Sequence, residues 1–225
     1  MPRRRSLDQD VTQLPLATRS DRDRFAYRAV MALVTPVIRW WGRLEVEGAE
    51  LLPDAGSTLL LANHDSAWDP LVIGLAASPR RQVRALAKSS LWRIPILGSV
   101  LDGMGQIPIK RGHHDTTAMG SAVDQLRAGA CIGVFPEGTR SRGRELRARS
   151  GAGRLALAVP DAVVLGVAVS GVVDIVKFPM RPAIRVRFFA PIACGHLTAE
   201  SAAEVAAATL AEIREVAPIA TAGRR

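Results

Sequence analysis

Two short stretches of the chain hold residue types that can do chemistry together. Residues 63–69 read NHDSAWD and place His64 five residues before Asp69. An imidazole ionises near neutrality, so it can take the proton from a hydroxyl as that oxygen attacks a carbonyl carbon. A carboxylate beside the ring holds one tautomer and stabilises the imidazolium that forms. Asp69 can fill that place across the loop, with Asp65 as the rival; as the direct neighbour of His64, Asp65 is expected to point elsewhere. The plainer reading is a polar turn in which Asp69 caps the helix that Pro70 opens, since turns favour Asn, Asp and Ser for local backbone reasons. Residues 135–142 read FPEGTRSR. There Gly138 lets the backbone approach a ligand closely, Glu137 can accept hydrogen bonds from hydroxyls, and Arg140 and Arg142 offer planar forks to phosphate or carboxylate.

These residues need elements to hold them. His64 follows STLLLA (57–62) and FPEG follows ACIGVF (130–135), both apolar runs of buried-strand type. Further strands are expected at LEVEG (44–48), VRALA (83–87), QIPIK (106–110), AVVLGVAV (162–169) and AIRVRFF (183–189). Helices are expected at 70–77, at 115–127 with Asp115 as cap, at 153–158, and at 197–217 with Thr198 as cap. An irregular helical stretch is expected near 90–101. Strands interleaved with helices imply an α/β fold: a mixed, largely parallel sheet flanked by helices. In such sheets ligands collect at the carboxyl ends of the strands. Positive charge recurs just after three strand candidates, at Lys88, at Lys110–Arg111 and at Arg140–Arg142, which points to a shared anion pocket.

The chain's 225 residues suit one domain, and a net charge of +9 points to an anionic partner: a phosphorylated substrate, an acidic lipid surface or nucleic acid. Residues 1–24 hold six arginines and four aspartates and are expected to form a mobile basic terminus. FAYRAVMALVTPVIRWW (25–41) reads as a helix broken near Pro36, which lacks the N–H a helix interior needs. Its paired tryptophans and flanking arginines suit either an amphipathic segment docked on a membrane, spanning 25–43, or a core helix. The domain proper then runs over 44–217, with a mobile tail at 218–225. No apolar run approaches the roughly 20 residues of a membrane span, and no signal peptide is recognised.

Cys131 and Cys194 are too few for a disulfide framework, and Cys131 reads as a buried structural thiol. His113, His114 and Asp115 adjoin a helix cap with no further ligand at metal spacing, so no metal is expected. His196 reads as a surface residue. The absence of a G-x-S-x-G elbow argues against the common α/β-hydrolase route. The arginine-rich stretch 140–154 lacks any recognised nucleic-acid motif, and no nucleic-acid partner is expected. It reads as a rim for acidic headgroups.

NHDSAWD, GQIPIKR (105–111) and FPEGTRSR, in this order, resemble the first three motif blocks of the glycerolipid acyltransferase family, and most closely the 1-acyl-glycerol-3-phosphate acyltransferases. The resemblance runs from about Leu44 to Val169. It implies transfer of a fatty acyl group from acyl-CoA or acyl carrier protein to the hydroxyl of a phosphorylated lysolipid, with no further cofactor. His64 would be the base and Asp69 its partner, with Lys88, Arg111, Glu137, Gly138, Thr139 and Arg140 binding the acceptor. It also implies a peripheral place on an anionic membrane surface, at the cytoplasmic face. Two features depart from the family's pattern: Lys88 is followed by Ser89-Ser90-Leu91 rather than x-Glu-Leu, and a proline-containing fourth block is absent near 163–169. Glycerol-3-phosphate or another lysolipid as acceptor, or a lipid-binding module without turnover, are the alternatives.

Overall fold

The computed structural model describes residues 16–110, 115–177, 179, 181–192 and 201–219, with side chains from Phe25 onward. Among the described residues seven strands form one sheet: β1 (Glu45–Glu47), β2 (Thr58–Ala62), β3 (Val83–Lys88), β4 (Ile107–Ile109), β5 (Cys131–Val134), β6 (Val163–Ser170) and β7 (Arg185–Phe189). Their order is β1-β7-β6-β2-β5-β3-β4. From β6 to β4 every neighbouring pair is parallel; β7 runs antiparallel to β6, and β1 pairs parallel to β7. The carboxyl ends of β2, β3, β4, β5 and β6 therefore share one edge of the sheet.

The apolar strands are continuous because both faces of the sheet are covered. Every residue of β2 is buried. Leu60 and Ala62 pack towards α1 (Leu16–Thr35), α2 (Asp69–Ala77) and α3 (Pro95–Gly103), against Met31, Val72 and Met104. Leu59 and Leu61 pack towards α4 (Thr116–Arg127), α5 (Gly151–Ala158) and α6 (Ala202–Val216), against Leu126, Leu155 and Ile213. Alternate residues of one strand thus feed two helical layers. At the sheet edge, β1 is exposed throughout, as its Glu-Val-Glu sequence requires.

Three boundaries differ from the sequence reading. The first helix begins at Leu16, inside the stretch expected to be a mobile terminus. At Pro36 it widens into a π-helical turn, Pro36–Trp41, instead of breaking. The last helix begins at Ala202, because Ser201 has extended backbone and its hydroxyl accepts the Glu204 N–H. Thr198, Arg111, His113, His114, Cys194, His196 and residues 1–15 and 220–225 lie outside the described residues. The α1 segment is both core and surface: Tyr27, Met31 and Ile38 are buried, whereas Phe25, Leu33 and Trp40 are more than two-thirds exposed. No described helix is long and apolar enough to cross a membrane.

Candidate active site

The site begins where β2 runs out. Asn63 extends the strand by one residue with its side chain: Oδ1 accepts the Val169 N–H and Nδ2 donates to the Val169 carbonyl, both at 2.8 Å. The next residue, His64, is only 5% exposed. Its Nδ1 lies 3.0 Å from Asp69 Oδ2. A carboxylate only accepts, so in the neutral ring Nδ1 carries the proton and Nε2 keeps its lone pair. The same Asp69 oxygen also accepts the N–H groups of Asp65 and Ser66, each at 2.7 Å. Asp69 is the first residue of α2 and points back into the loop instead of capping its own helix. The ring of Phe135 stacks on the imidazole, with centroids 4.1 Å apart and planes 21° from parallel.

The loop after β5 closes against this one. Glu137 Oε2 accepts the His64 backbone N–H at 2.6 Å, and the Ser141 N–H donates to the His64 carbonyl at 2.7 Å. Gly138 sits at φ +70°, a conformation that favours glycine, and completes a turn through its N–H to the Phe135 carbonyl. A Cβ there would also lie 2.6 Å from the Arg149 side chain.

A residue absent from the sequence reading holds both loops. Arg214, near the end of α6, forks onto the two oxygens of Asp65 at 2.8 and 2.9 Å and also pairs with Glu137 Oε1. Asp65 further accepts from the Ser141 hydroxyl and from Asn63 Nδ2. Burial pushes the Asp65 carboxyl up, but Arg214, Ser141 and Asn63 outweigh it and leave Asp65 below the usual carboxylate range. In Glu137 burial wins over Arg214 and the His64 N–H, and its carboxyl stands above the usual range. Both oxygens of Glu137 are thereby engaged within the protein. The signal for Arg214 was present: it follows buried Leu210 by four residues, which puts a cation on the helix's apolar side.

The basic residues are distributed as follows. Lys88 and Lys110 are exposed at the ends of adjacent strands β3 and β4, and Thr139 and Arg140 are exposed on the loop that carries Glu137. Lys110 donates its backbone N–H to Asp115, which also caps α4 through the Ala118 N–H. Beside Phe135 and Gly138 opens a cavity of about 570 Å³ between α4, α5 and the sheet. Leu86, Met119, Val123, Val134 and Leu155 line its interior, with Lys110 and Arg149 also on its wall. Cys131 lies buried under the opposite helical layer, its thiol pushed up to about 12 by burial, and takes no part.

Residues 43–170 match the Acyltransferase family. Over 108 residues the chain is 39% identical to the 1-acyl-sn-glycerol-3-phosphate acyltransferase of Borreliella burgdorferi, covering 47% of this chain and 42% of that one. Over 100 residues it is 26% identical to the enzyme of the same name from Bacillus subtilis, covering 44% of this chain and 50% of that one. The matched stretch thus spans half or less of these relatives' length. The crystal structure of the 1-acyl-sn-glycerophosphate acyltransferase PlsC from Thermotoga maritima superposes with a TM-score of 0.61 at 22% identity, covering 88% of this chain and 79% of that one, a likeness of fold. The resemblance read from the three motif blocks is borne out, and the chain belongs to the acyltransferase family.

Proposed function

We propose that the protein transfers a fatty acyl group from a thioester donor, acyl-CoA or acyl carrier protein, to the free hydroxyl of 1-acyl-glycerol-3-phosphate. The observation that carries this reading is the buried His64–Asp69 pair, with Nδ1 held and Nε2 left to act. The acceptor oxygen attacks the thioester carbonyl as its proton passes to Nε2. The tetrahedral intermediate then expels the thiolate, which takes that proton back from the imidazolium. Asp69 keeps the ring in its working tautomer and stabilises the cation. Lys88, Arg111, Thr139 and Arg140 hold the acceptor phosphate, and the Gly138 backbone borders it. Because both Glu137 oxygens are engaged, Glu137 acts by holding the His64 backbone. The cavity beside Phe135 takes the acyl chain; its volume falls within the roughly 300–1,000 Å³ of small-molecule sites. Phe25, Leu33 and Trp40 with Ile94 and Ile96 near α3 form the apolar contact with the membrane, at its cytoplasmic face.

The test is a matrix of donors and acceptors with the purified full chain, products identified by mass spectrometry. Acyl-CoA and acyl carrier protein are set against lysophosphatidate, glycerol-3-phosphate and neutral lysolipids. Phosphatidic acid is expected, and His64→Ala should abolish it while the melting curve stays that of a folded protein. Undiminished turnover by folded His64→Ala defeats the mechanism. Transfer to glycerol-3-phosphate alone defeats the acceptor assignment.

A further inference from the structure

A second basic cleft lies at the other edge of the sheet. It measures about 890 Å³ and is bordered by residues just before β2, β3 and β5, among them Gly56, Gln82 and Ala130. His64 is eight residues on from Gly56 along the extended chain, which separates the cleft from the active site by roughly 25 Å. Five arginines line it: Arg28, Arg39, Arg80, Arg81 and Arg84; among the described residues Asp54 is its one carboxylate.

The arginines divide into two walls. On the sheet side Arg81 is tied to the carbonyls of Pro53, Gly56 and Gly129, Arg80 to Asp54 and the Leu52 carbonyl, and Arg84 to Gln125. These bonds fix the guanidinium groups in place: Asp54 is set against Arg80, and the three carbonyls on Arg81 orient it without offsetting its charge. On the other wall stand Arg28 and Arg39, both exposed. Arg28 is three residues from Phe25, so the cationic row runs beside the row of exposed Phe25 and Leu33. A bound anion would lie next to an apolar surface, as the phosphate of a lipid does beside its acyl chains. A solvated arginine face would instead be spread over open surface, without a concave wall whose cations are held in place by backbone carbonyls.

We infer that this cleft is a second phosphate-binding site, separate from the acceptor pocket, and that it takes the headgroup of an anionic phospholipid in the bilayer on which α1 rests. Occupied, it sets the orientation of the molecule on the membrane from the side opposite His64. The inference adds to the transfer reaction, and its readout needs no turnover.

The experiment is co-sedimentation of the full chain with phosphatidylcholine vesicles, with and without phosphatidylglycerol. That diester lipid is neither the proposed acceptor nor its product, so the active site does not compete. The double variant Arg28→Gln/Arg39→Gln should lower the partition coefficient on phosphatidylglycerol vesicles roughly thirtyfold, two charges contributing about 1 kcal/mol each. Arg185→Gln/Arg187→Gln, which removes the same charge from exposed positions of β7, should lower it much less. Melting curves establish that both variants fold. Equal losses in the two variants mean that binding follows net charge alone and overturn the site. So does wild-type sedimentation by Arg28→Gln/Arg39→Gln. A saturable heat of binding with inorganic phosphate, lost in that variant while sedimentation is unchanged, assigns the cleft to a soluble anion and overturns the lipid.

Discussion

At the scale of residues, one guanidinium decides whether two carboxylates can sit beside the candidate base. Arg214 serves Asp65 and Glu137 at once, and its side chain is only 15% exposed. Removing one member of a buried ion cluster leaves charge uncompensated, at a cost of about 3 kcal/mol or more. Arg214→Met should therefore lower the melting temperature by roughly 6–12 °C. It should also lower kcat with little change in acceptor KM, because the loss acts through the His64 backbone. Arg214→Lys should restore part of each, since a lysine keeps the charge but lacks the fork. A change confined to acceptor KM would place Arg214 on the substrate instead. Asp65 makes a separate prediction with pH. Its folded-state carboxyl lies below the unfolded value, so its stabilisation is complete above the ordinary aspartate range, near 3.9, and is lost as pH falls through the lower folded value. Asp65→Asn should melt well below the wild type at neutral pH, with the difference shrinking under pH ~4. A gap that stays constant down to pH ~2 would show that the charge of Asp65 is immaterial.

Elements set where these residues meet. β2 delivers His64, β5 delivers Glu137, and α6 brings Arg214 back from the end of the chain across the same sheet edge. The seat of α6 depends on a glycine. A Cβ at Gly153 in α5 would stand 1.9 Å from the carbonyl oxygen of Ala202, the first residue of α6. Gly153→Ala must push that end of α6 outward, and overpacking of this kind costs roughly 1–3 kcal/mol. Since the same helix carries Arg214, turnover should fall together with the melting temperature. Gly151→Ala, two residues earlier, meets nothing within 4 Å and should leave stability unchanged or slightly raised. Circular-dichroism melts of the two variants check this, and equal behaviour would show that α5 and α6 are not closely seated.

On the scale of the whole molecule, the parallel strands gather the candidate site at one edge and leave the arginine cleft at the other. Between α4, α5 and the sheet, the fold leaves a cavity beside Phe135, the residue stacked on His64. Gly120 lines that cavity from α4, and a Cβ there meets nothing within 4 Å. Gly120→Leu should thus extend into open space. Replacing a helix-interior glycine stabilises by up to about 1 kcal/mol, so the melting temperature should hold or rise. If the cavity takes the acyl chain, the same variant should shift donor preference towards shorter chains. Measurement of kcat/KM over a series of chain lengths tests this, and an unchanged profile in a stable variant would place the chain elsewhere.

Much of this could be read along the chain because it depends on near neighbours. Continuous apolar runs marked β2, β5 and β6, since strands covered on both faces need no polar alternation. Asp115 as a cap and the His64–Asp69 pairing both lie within a few residues of their partners. The boundaries that moved were those where local preference is weak: Pro36 opens a wider helical turn, and Ser201 replaces an earlier threonine as cap. Arg214 and its two carboxylates were decided by tertiary structure alone. They stand 149 and 77 residues from their partner, and an arginine four places after a leucine does not say which acid it will meet. Nor does the order of residues disclose a cavity or a cleft, because empty volume arises only when separate elements pack. Local chemistry is set by residues close in sequence, whereas charge pairing and enclosed space depend on which distant surfaces the fold brings face to face.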